Sequence, residues 1–324
     1  MSLTRALRRV VSEPGLAFER LGEYAITLPL DELRAWSSRG KEREVVNQRE
    51  LRVASLRRSG HHAVLDWIMR QLPGTVVHLN DLRPNANPFM QYWRGGVQGK
   101  GFGAEYRQRD LAAMEFYAGE EGRARLHADA QGRFAPKDVL VLNFEDCELA
   151  RAFSARAERL HDLHVGCSAE RLHLMVLRDP FNWLASRLKI GFLDIRGTRK
   201  RTMMDLWLDY AREFVGETNE VPGRKLCISY NRWFADEDYR HQLAGELGIS
   251  YSETGLGDVA QQAGGSSFDG TDFQGRAQEM KVLERWQAFA EDPTFRALCS
   301  DPVVHAYSER IFGEIPGTER LLGA

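Results

Sequence analysis

The sequence predicts an α/β protein in which a parallel β-sheet is flanked by helices in a three-layer arrangement. Short β-prone runs alternate with stretches of helical periodicity, which is the pattern of repeated strand and helix units. Two of the runs, residues 139–144 and 172–177, are almost continuously apolar, as expected of strands covered by helices on both faces. No internal repeat or linker interrupts the pattern, so residues 1–324 are predicted to form a single domain.

The first predicted unit is a strand over residues 51–56 followed by a helix over residues 63–72. A Pro-Gly pair ends this helix, and residues 75–79 form the second predicted strand. Residues 80–103 are rich in Asn, Pro and Gly, and we expect them to form a long loop. If functional, such a loop would act as a lid or bind the acceptor.

The remaining elements continue the alternation of strands and helices. Pro180 suits the first position of a helix because its fixed φ matches the helical value. At the two ends of the chain, residues 1–48 are predicted to be a helical extension, and residues 264–324 a loop followed by helices. The other predicted elements are the strand over 139–144, a helix to about residue 163, the strand over 172–177, a helix over 203–215, a strand over 226–230 and a helix over 240–247.

Composition and charge exclude several classes of protein. With 43% hydrophobic and 28% charged residues, the chain has the composition of a globular protein, not of a disordered or fibrous one. The formal net charge of -2 gives no overall basic field for nucleic acid. No run of about 18 apolar residues is present. We therefore expect a soluble, cytoplasmic protein with no integral membrane segment and no nucleic-acid partner.

The cysteines and histidines give no sign of a metal centre. The cysteines are widely spaced and include no C-x-x-C pair, which argues against a zinc ribbon and a disulfide framework. His161 and His164 stand at positions i and i+3 of a predicted helix, a spacing that could hold a metal ion. No third ligand accompanies them, so we expect a surface pair, and no metal is expected in this protein.

Ligands of an open parallel sheet collect beyond the carboxyl ends of the strands, where helix N-termini point N–H groups outward. After the first predicted strand the chain has Arg58, Ser59 and Gly60. Gly60 permits close approach of the backbone, while the other two residues and the helix N-terminus supply positive charge and donors. This corner is predicted to hold an anion, although no G-x-x-x-x-G-K-[ST] loop for a nucleoside triphosphate occurs.

A second predicted anion site follows the strand at residues 172–177. Arg178 comes directly after that strand, and its guanidinium could grip a phosphate with two hydrogen bonds. Ser186 lies about two helical turns further on, where its hydroxyl could contact the same group or a neighbouring one. Two anion sites without a triphosphate loop suggest a nucleotide that carries anions at two positions.

The two corners together resemble those of sulfotransferases that use 3′-phosphoadenosine 5′-phosphosulfate (PAPS). The stretch SLRRSGHHAVL, from Ser55 to Leu65, is similar to the 5′-phosphosulfate loop of that family. The stretch VLRDPFNWLASR, from Val176 to Arg187, is similar to its 3′-phosphate motif. The resemblance spans roughly residues 51–247 and implies the family's P-loop-like fold, with PAPS as co-substrate and 3′-phosphoadenosine 5′-phosphate (PAP) as product.

The resemblance also implies roles for individual residues. Arg58 would stand at the bridging oxygen of PAPS, where many members have Lys. Many members also have Thr-Thr where this chain has His61 and His62, so backbone donors are kept and hydroxyl contacts are lost. The residues implied at the 5′-phosphosulfate are Arg57, Arg58, Ser59, Gly60, His61 and His62, those at the 3′-phosphate are Arg178 and Ser186, and those of a closing C-terminal loop are Ser266, Ser267 and Arg276.

For the general base, the family uses His in its cytosolic members and Glu in several carbohydrate-modifying members. The corresponding position in this chain lies near Glu145, which we expect to be the catalytic base, with its pKa raised by burial. Arg58 would stabilise negative charge on the departing oxygen, because a guanidinium does not readily give up its proton. The alternative bases are Asp146, His61, His62 and Asp81.

Two other functions compete with sulfuryl transfer. One is a nucleotide or small-molecule kinase, and the other is a non-catalytic nucleotide-binding protein on the same fold. The sequence does not decide whether the acceptor is a small molecule, carbohydrate, lipid or peptide, because acceptor pockets are built from variable loops. Here those loops are predicted at residues 80–106 and 193–201, and the sequence does not define an oligomeric state.

Overall fold

The computed structural model describes residues 31–33, 44–97, 116–192, 202–260 and 265–322 of the chain. The described residues contain one five-stranded sheet, in which every strand pair is parallel and the spatial order is β2-β3-β1-β4-β5. The predicted α/β class with a parallel, helix-flanked sheet is therefore confirmed. The strands are β1 (Val45–Ser55), β2 (Val76–Leu79), β3 (Lys137–Glu145), β4 (Cys167–Leu177) and β5 (Lys225–Ser229).

Helices follow each strand in the described part of the chain. Short 3-10 segments at Ala277–Glu279, Arg285–Phe289 and Thr318–Leu321 occur in the C-terminal part, after the turns of residues 265–275. None of the described helices is long and apolar enough to cross a membrane. The α-helices are α1 (His61–Met69), α2 (Pro88–Val97), α3 (Gly119–Ala130), α4 (Leu149–Ala152), α5 (Ala155–Val165), α6 (Pro180–Leu188), α7 (Met203–Phe214), α8 (Tyr230–Ala235), α9 (Glu237–Leu247), α10 (Pro293–Cys299) and α11 (Pro302–Phe312).

Both faces of the sheet are covered because side chains alternate along each strand. Leu51 and Leu174 point to one face, where they pack in a cluster with residues of α1, α8 and α9. Ala54 and Met175 point to the other face and pack with residues of α6, α7 and α11. Leu142 joins a third cluster with residues of α2 and α3. The sheet is thus the middle layer of three.

The strand order reverses at β1, and this reversal positions the site. Helix α1, which follows β1, packs on one face of the sheet, whereas α4 and α6, which follow β3 and β4, pack on the opposite face. Since β3 and β4 lie on either side of β1, their following helices diverge from α1 at the carboxyl ends of the strands. Such a switch point leaves a crevice that binds ligands in open α/β sheets.

The first strand begins at Val45 rather than at Leu51, so the predicted helical extension over residues 1–48 is wrong for its last residues. This part of β1 is rich in polar residues, so its sequence lacks the apolar pattern that predicts a buried strand. Asn47 is buried and donates to the carbonyl oxygen of Val165 at 3.0 Å. Glu50 is also buried, and its carboxylate accepts hydrogen bonds from neighbouring elements.

His161 and His164 form no surface pair, contrary to prediction. Both imidazoles are buried, and each contacts a carboxylate. The Nε2 atom of His161 lies 2.6 Å from Oε1 of Glu50, and that of His164 lies 3.1 Å from Oδ2 of Asp31. These pairs let α5 pack its polar residues against the sheet and the N-terminal residues.

The predicted loop over residues 80–103 is also partly wrong, because α2 occupies Pro88–Val97. Phe89 of this helix is fully buried, and the ring of Trp93 stacks on that of His127 with centroids 4.4 Å apart. The glycines of this stretch have a low helix propensity, so the sequence favours a loop. Tertiary packing nevertheless stabilises a helix here. The rest of the predicted acceptor loop, beyond residue 97, lies outside the described residues up to residue 115.

Candidate functional site

The turn between β1 and α1 has a backbone shape that brings it close to α8. Arg58 and Gly60 both have positive φ, 69° and 81°, and the Ser59 N–H donates to the carbonyl of Leu56 at 3.0 Å. A Cβ atom on Gly60 would lie 2.1 Å from the ring of Tyr230. Both the positive φ of residue 60 and its contact with the Tyr230 ring therefore require glycine. Gly60 precedes α1 and provides no side-chain cap for that helix.

A cavity of about 360 Å³ lies at the switch point, beyond the ends of β1, β3 and β4. Its wall combines cationic groups, two imidazoles, two carboxylates and aromatic rings. The polar members come from separate parts of the chain, which the fold brings together. They include Arg57, Arg58, His61, His62, Asn80, Glu145, Arg178, Asp258, Ser266 and Arg285.

Arg58 and Arg178, predicted from separate motifs, line this one cavity. Arg58 donates from Nη2 to the carbonyl of Gly265 at 3.1 Å, and Arg178 donates from Nη1 to the Ser186 hydroxyl at 3.1 Å. Arg178 also donates to the carbonyl of Val282. Within the described residues, neither guanidinium forms an ion pair with a carboxylate. The two cations are thus hydrogen-bonded but not neutralised.

The charges of these arginines are concentrated in a poorly solvated place. Burial lowers the pKa of Arg58 to about 10, and the like charge of Arg285 contributes further. Burial likewise lowers the pKa of Arg178 to about 10, again with a contribution from Arg285. Arg58 and Arg178 both stay protonated at neutral pH. A bound anion would relieve both the desolvation and the mutual repulsion of these cations.

Arg285 is a cavity residue that sequence reasoning missed. Its Nη2 donates to the Ser266 hydroxyl at 2.6 Å and to Asp269 at 3.0 Å, while its Nη1 lies 3.4 Å from the Ser186 hydroxyl. Ser186 therefore contacts both Arg178 and Arg285. Arg285 lies in a 3-10 segment of the C-terminal part and does not follow a strand in the sequence, so its position in the chain does not mark it as a site residue.

The three residues predicted for a closing C-terminal loop differ in their placement. Ser266 lines the cavity. The Ser267 hydroxyl is buried with no partner among the described residues, and Ser267 does not line the cavity. Arg276 does not line it either, because its side chain is 59% exposed and pairs with Glu279 at 3.0 Å. Arg285, and not Arg276, lines the cavity in this part of the chain.

Arg57 lines the cavity, but carboxylates neutralise its charge. It pairs with Asp81 through Nη2, and its Nε lies 3.0 Å from Oε2 of Glu145. Burial would lower the pKa of Arg57, but these carboxylates and Asp146 outweigh burial and raise it. Arg57 therefore fixes the ends of β1, β2 and β3 relative to one another instead of offering a free cation to a ligand.

Two predicted alternative bases, Asp81 and Asp146, already bind cations. Asp146 accepts from Nη1 of Arg187 at 2.9 Å and from the Arg57 N–H at 2.9 Å. Asp81 pairs with Arg57. Asp81 and Asp146 have positive φ, 52° and 51°, which costs about 1 kcal/mol or more for a residue with a Cβ. Neither carboxylate lines the cavity, so both serve to hold the strand ends in place.

Glu145 stands between the two imidazoles of the β1–α1 turn. Its Oε1 lies 3.1 Å from Nε2 of His61 and 3.4 Å from Nε2 of His62. Burial would raise the pKa of Glu145, but the two histidines outweigh it and lower that pKa well below the ordinary value. The expected raised pKa is therefore wrong. Burial, together with His61, lowers the pKa of His62.

Aromatic rings form another part of the cavity wall. Tyr230, Trp233 and Phe234 of α8 all line it, and the ring centroid of Tyr230 lies 5.8 Å from that of Trp233 and 6.1 Å from that of Phe234. The guanidinium of Arg178 lies over the Tyr230 ring, 5.2 Å from its centroid. A cation beside aromatic faces suits a ligand that has both an anion and a flat ring.

Ile190 and Phe192 line the cavity where the described chain stops before the gap at residues 193–201. The second predicted acceptor loop falls in that gap and so lies outside the described residues. Asn80, at the start of the first predicted acceptor loop, also lines the cavity.

A search with protein-family models and a search of curated proteins both found no match to this chain.

Proposed function

We propose that this protein is a sulfotransferase, which moves the sulfuryl group of PAPS to a hydroxyl or amine of an acceptor. The observation that carries the proposal is that Arg58 and Arg178 line one cavity without a carboxylate partner among the described residues. They follow β1 and β4, which are neighbours in the sheet. Two such cations at one switch point favour a ligand with anions at two positions.

The 3′-phosphate is assigned to the group formed by Arg178, Arg285 and Ser186. Two guanidiniums and a hydroxyl meet there, with Ser186 contacting both cations, and Asp269 balances only the charge of Arg285. Charge-assisted hydrogen bonds from arginine suit a phosphate, which accepts several of them. The adenine is assigned to the aromatic wall formed by α8, next to this group.

The 5′-phosphosulfate is assigned to the turn that contains Arg58, Ser59 and Gly60. The first N–H groups of α1 have no side-chain cap, and a helix N-terminus favours an anion. The cavity volume of about 360 Å³ lies within the range of sites for nucleotide-sized ligands. Arg58 supplies the positive charge at this end of the cavity.

In the proposed reaction, the acceptor oxygen or nitrogen attacks the sulfur atom as the bond from sulfur to the bridging oxygen breaks. The bonding electrons pass to the phosphate of PAP, where Arg58 stabilises the developing negative charge. Such a reaction needs little covalent work from the protein, so positioning and charge dominate its catalysis. The acceptor's proton must also be taken up as the new bond forms.

We assign uptake of the acceptor's proton to His62, with Glu145 as its partner. Both oxygens of Glu145 already accept contacts, from Arg57 on one side and from the imidazoles on the other. The His62 side chain is 17% exposed and lines the cavity, and its Nδ1 is a buried atom with no partner among the described residues. If Nε2 of His62 donates to Glu145, Nδ1 keeps a lone pair for the proton. Glu145 then orients the ring and stabilises the imidazolium.

Thermal unfolding with different nucleotides tests the proposal. A ligand that binds only the native state raises the unfolding midpoint. We expect PAP to raise it, and ATP and NAD to raise it far less at equal concentration, because neither carries a 3′-phosphate. Equal effects of PAP and ATP would reject the PAPS site. PAP binding without any release of PAP from PAPS across a broad acceptor panel would instead indicate a non-catalytic binding protein.

A further inference from the structure

His61, His62 and Glu145 converge on one point at the edge of the cavity. The three potential ligand atoms, one from each side chain, all lie within 4.8 Å of one another. The two histidines belong to α1, and Glu145 is the last residue of β3. From this convergence we infer that the three side chains form a binding site for a divalent transition-metal ion of the zinc type.

Two of the three distances between the ligand atoms match the edge of a metal tetrahedron. Zinc binds histidine nitrogen at about 2.0–2.1 Å and carboxylate oxygen at about 2.0–2.2 Å, so adjacent ligand atoms of a tetrahedral site lie about 3.3 Å apart. In the protein, Oε1 of Glu145 is 3.1 Å from Nε2 of His61 and 3.4 Å from Nε2 of His62. The carboxylate oxygen therefore already lies at tetrahedral spacing from both imidazole nitrogens.

The surroundings hold the ligands in place, as is usual for metal sites. The Ser59 hydroxyl lies 3.3 Å from Nδ1 of His61, and Nε of Arg57 lies 3.0 Å from Oε2 of Glu145. The second contact leaves Oε1 to face the imidazoles. Arg57 also pairs with Asp81, so its charge is balanced and opposes a bound cation less.

The donor set defines the class of ion. Two imidazoles and one carboxylate are a known set of ligands for zinc sites that keep a position open. Imidazole suits zinc, cobalt, nickel and copper, whereas magnesium and calcium prefer oxygen ligands. His61, His62 and Glu145 all line the cavity, so an ion there would lie beside the space assigned to the phosphosulfate.

A bound ion has a consequence for catalysis that rests on the proposed function. A metal on Nε2 of His62 places the ring proton on Nδ1, and so removes the lone pair that the proposed reaction uses. Metal binding and proton uptake by His62 then exclude each other. A zinc-type ion is expected to inhibit sulfuryl transfer, while metal binding itself needs no nucleotide.

Titration of metal-free protein with Co²⁺, followed by calorimetry and visible absorption, tests the site directly. We expect one ion per chain, with the absorption bands of tetrahedral cobalt. His62→Ala and Glu145→Gln should each weaken binding at least about tenfold, because each removes a ligand. The matched control is His241→Ala, which removes a histidine that is 52% exposed on α9 and should leave the affinity unchanged.

The outcomes separate this inference from the proposed function. Absence of Co²⁺ binding, or equal binding by wild type and both ligand variants, would overturn the metal site. Unfolding midpoints without ligand check that the variants fold, and His62→Gln provides a second variant if His62→Ala does not. If PAP stabilises the metal-free wild type while Co²⁺ does not bind, only the metal site is rejected. If Co²⁺ binds and PAP does not stabilise the protein, the PAPS site is rejected and the metal site stands.

Discussion

Arg178 donates a hydrogen bond from Nη1 to the main-chain carbonyl of Arg58, over 3.4 Å. This contact links the two corners that the sequence identified separately, because one follows β4 and the other follows β1. The side chain at one corner thereby fixes the backbone of the other. The corners proposed to bind the 5′-phosphosulfate and the 3′-phosphate are therefore hydrogen-bonded to each other. A change at one corner is expected to affect binding at the other.

Arg285→Gln should weaken PAP binding about ten- to a hundredfold, because hydrogen bonds to charged groups contribute about 1.5–3 kcal/mol. Adenosine 5′-phosphate lacks the 3′-phosphate, so its affinity should change little. Isothermal titration calorimetry with both ligands measures the difference. Arg276→Gln is the matched control, since that arginine is exposed and does not line the cavity. A larger loss of PAP affinity in Arg276→Gln than in Arg285→Gln would contradict the assignment.

His62→Gln should lower the release of PAP from PAPS by about a hundredfold or more, which is the usual contribution of a general base. Its affinity for PAP should stay within about threefold of the wild-type value, because the assigned phosphate contacts are left in place. Turnover is measured with the most active member of an acceptor panel, in the presence of a chelator. Unchanged turnover in His62→Gln would show that the proton goes elsewhere.

Gly60→Ala should destabilise the protein by about 2 kcal/mol or more, because it adds both backbone strain and a clash with the Tyr230 ring. Urea unfolding measures the change. Gly132→Ala is the control, since Gly132 has a φ of 83° but no atom lies near its added Cβ. The control should show only the strain, about 1 kcal/mol. Equal losses in the two variants would mean that the contact with Tyr230 does not constrain the turn.

The buried carboxylate of Glu50 should make stability depend on acid pH. Burial would raise the pKa of Glu50, but His161 and Arg171 outweigh it and lower that pKa to about 2. A carboxyl with a depressed folded-state pKa stabilises the protein above its unfolded pKa, near 4.5, and loses that stabilisation as the pH falls toward 2.

The test of this effect compares wild type with Glu50→Gln by urea unfolding from pH 6 down to the lowest pH at which both fold. The wild type should be more stable near pH 6, and the difference should shrink as the pH falls below about 4.5. A difference that stays constant over this range would show that Glu50 does not have a depressed pKa in the folded protein.

The sequence predicted the parts of the fold whose signal is local. Apolar runs marked β3 and β4, and Pro180 marked the start of α6. The start of β1 was missed because Asn47 and Glu50 are polar, and their buried partners lie far along the chain. Helix α2 was missed because its glycines disfavour a helix, which the burial of Phe89 stabilises.

The same division holds for the candidate site. Arg58 and Arg178 were found because each directly follows a strand, and the carboxyl ends of parallel strands share one edge. Arg285 could not be found in this way, since only tertiary packing brings its segment to Ser186. The pKa of Glu145 is lowered, not raised as predicted from burial, because the neighbouring His61 and His62 outweigh the effect of burial.

The most direct test of the account is the affinity of the wild-type protein and of Arg178→Gln for PAP and for adenosine 5′-phosphate. If Arg178 binds the 3′-phosphate, the wild type should prefer PAP by about a hundredfold or more, and Arg178→Gln should lose most of that preference while it keeps its affinity for adenosine 5′-phosphate. A wild-type protein that binds the two nucleotides equally, or a variant that keeps the full preference, would contradict the assignment of this cavity to PAPS.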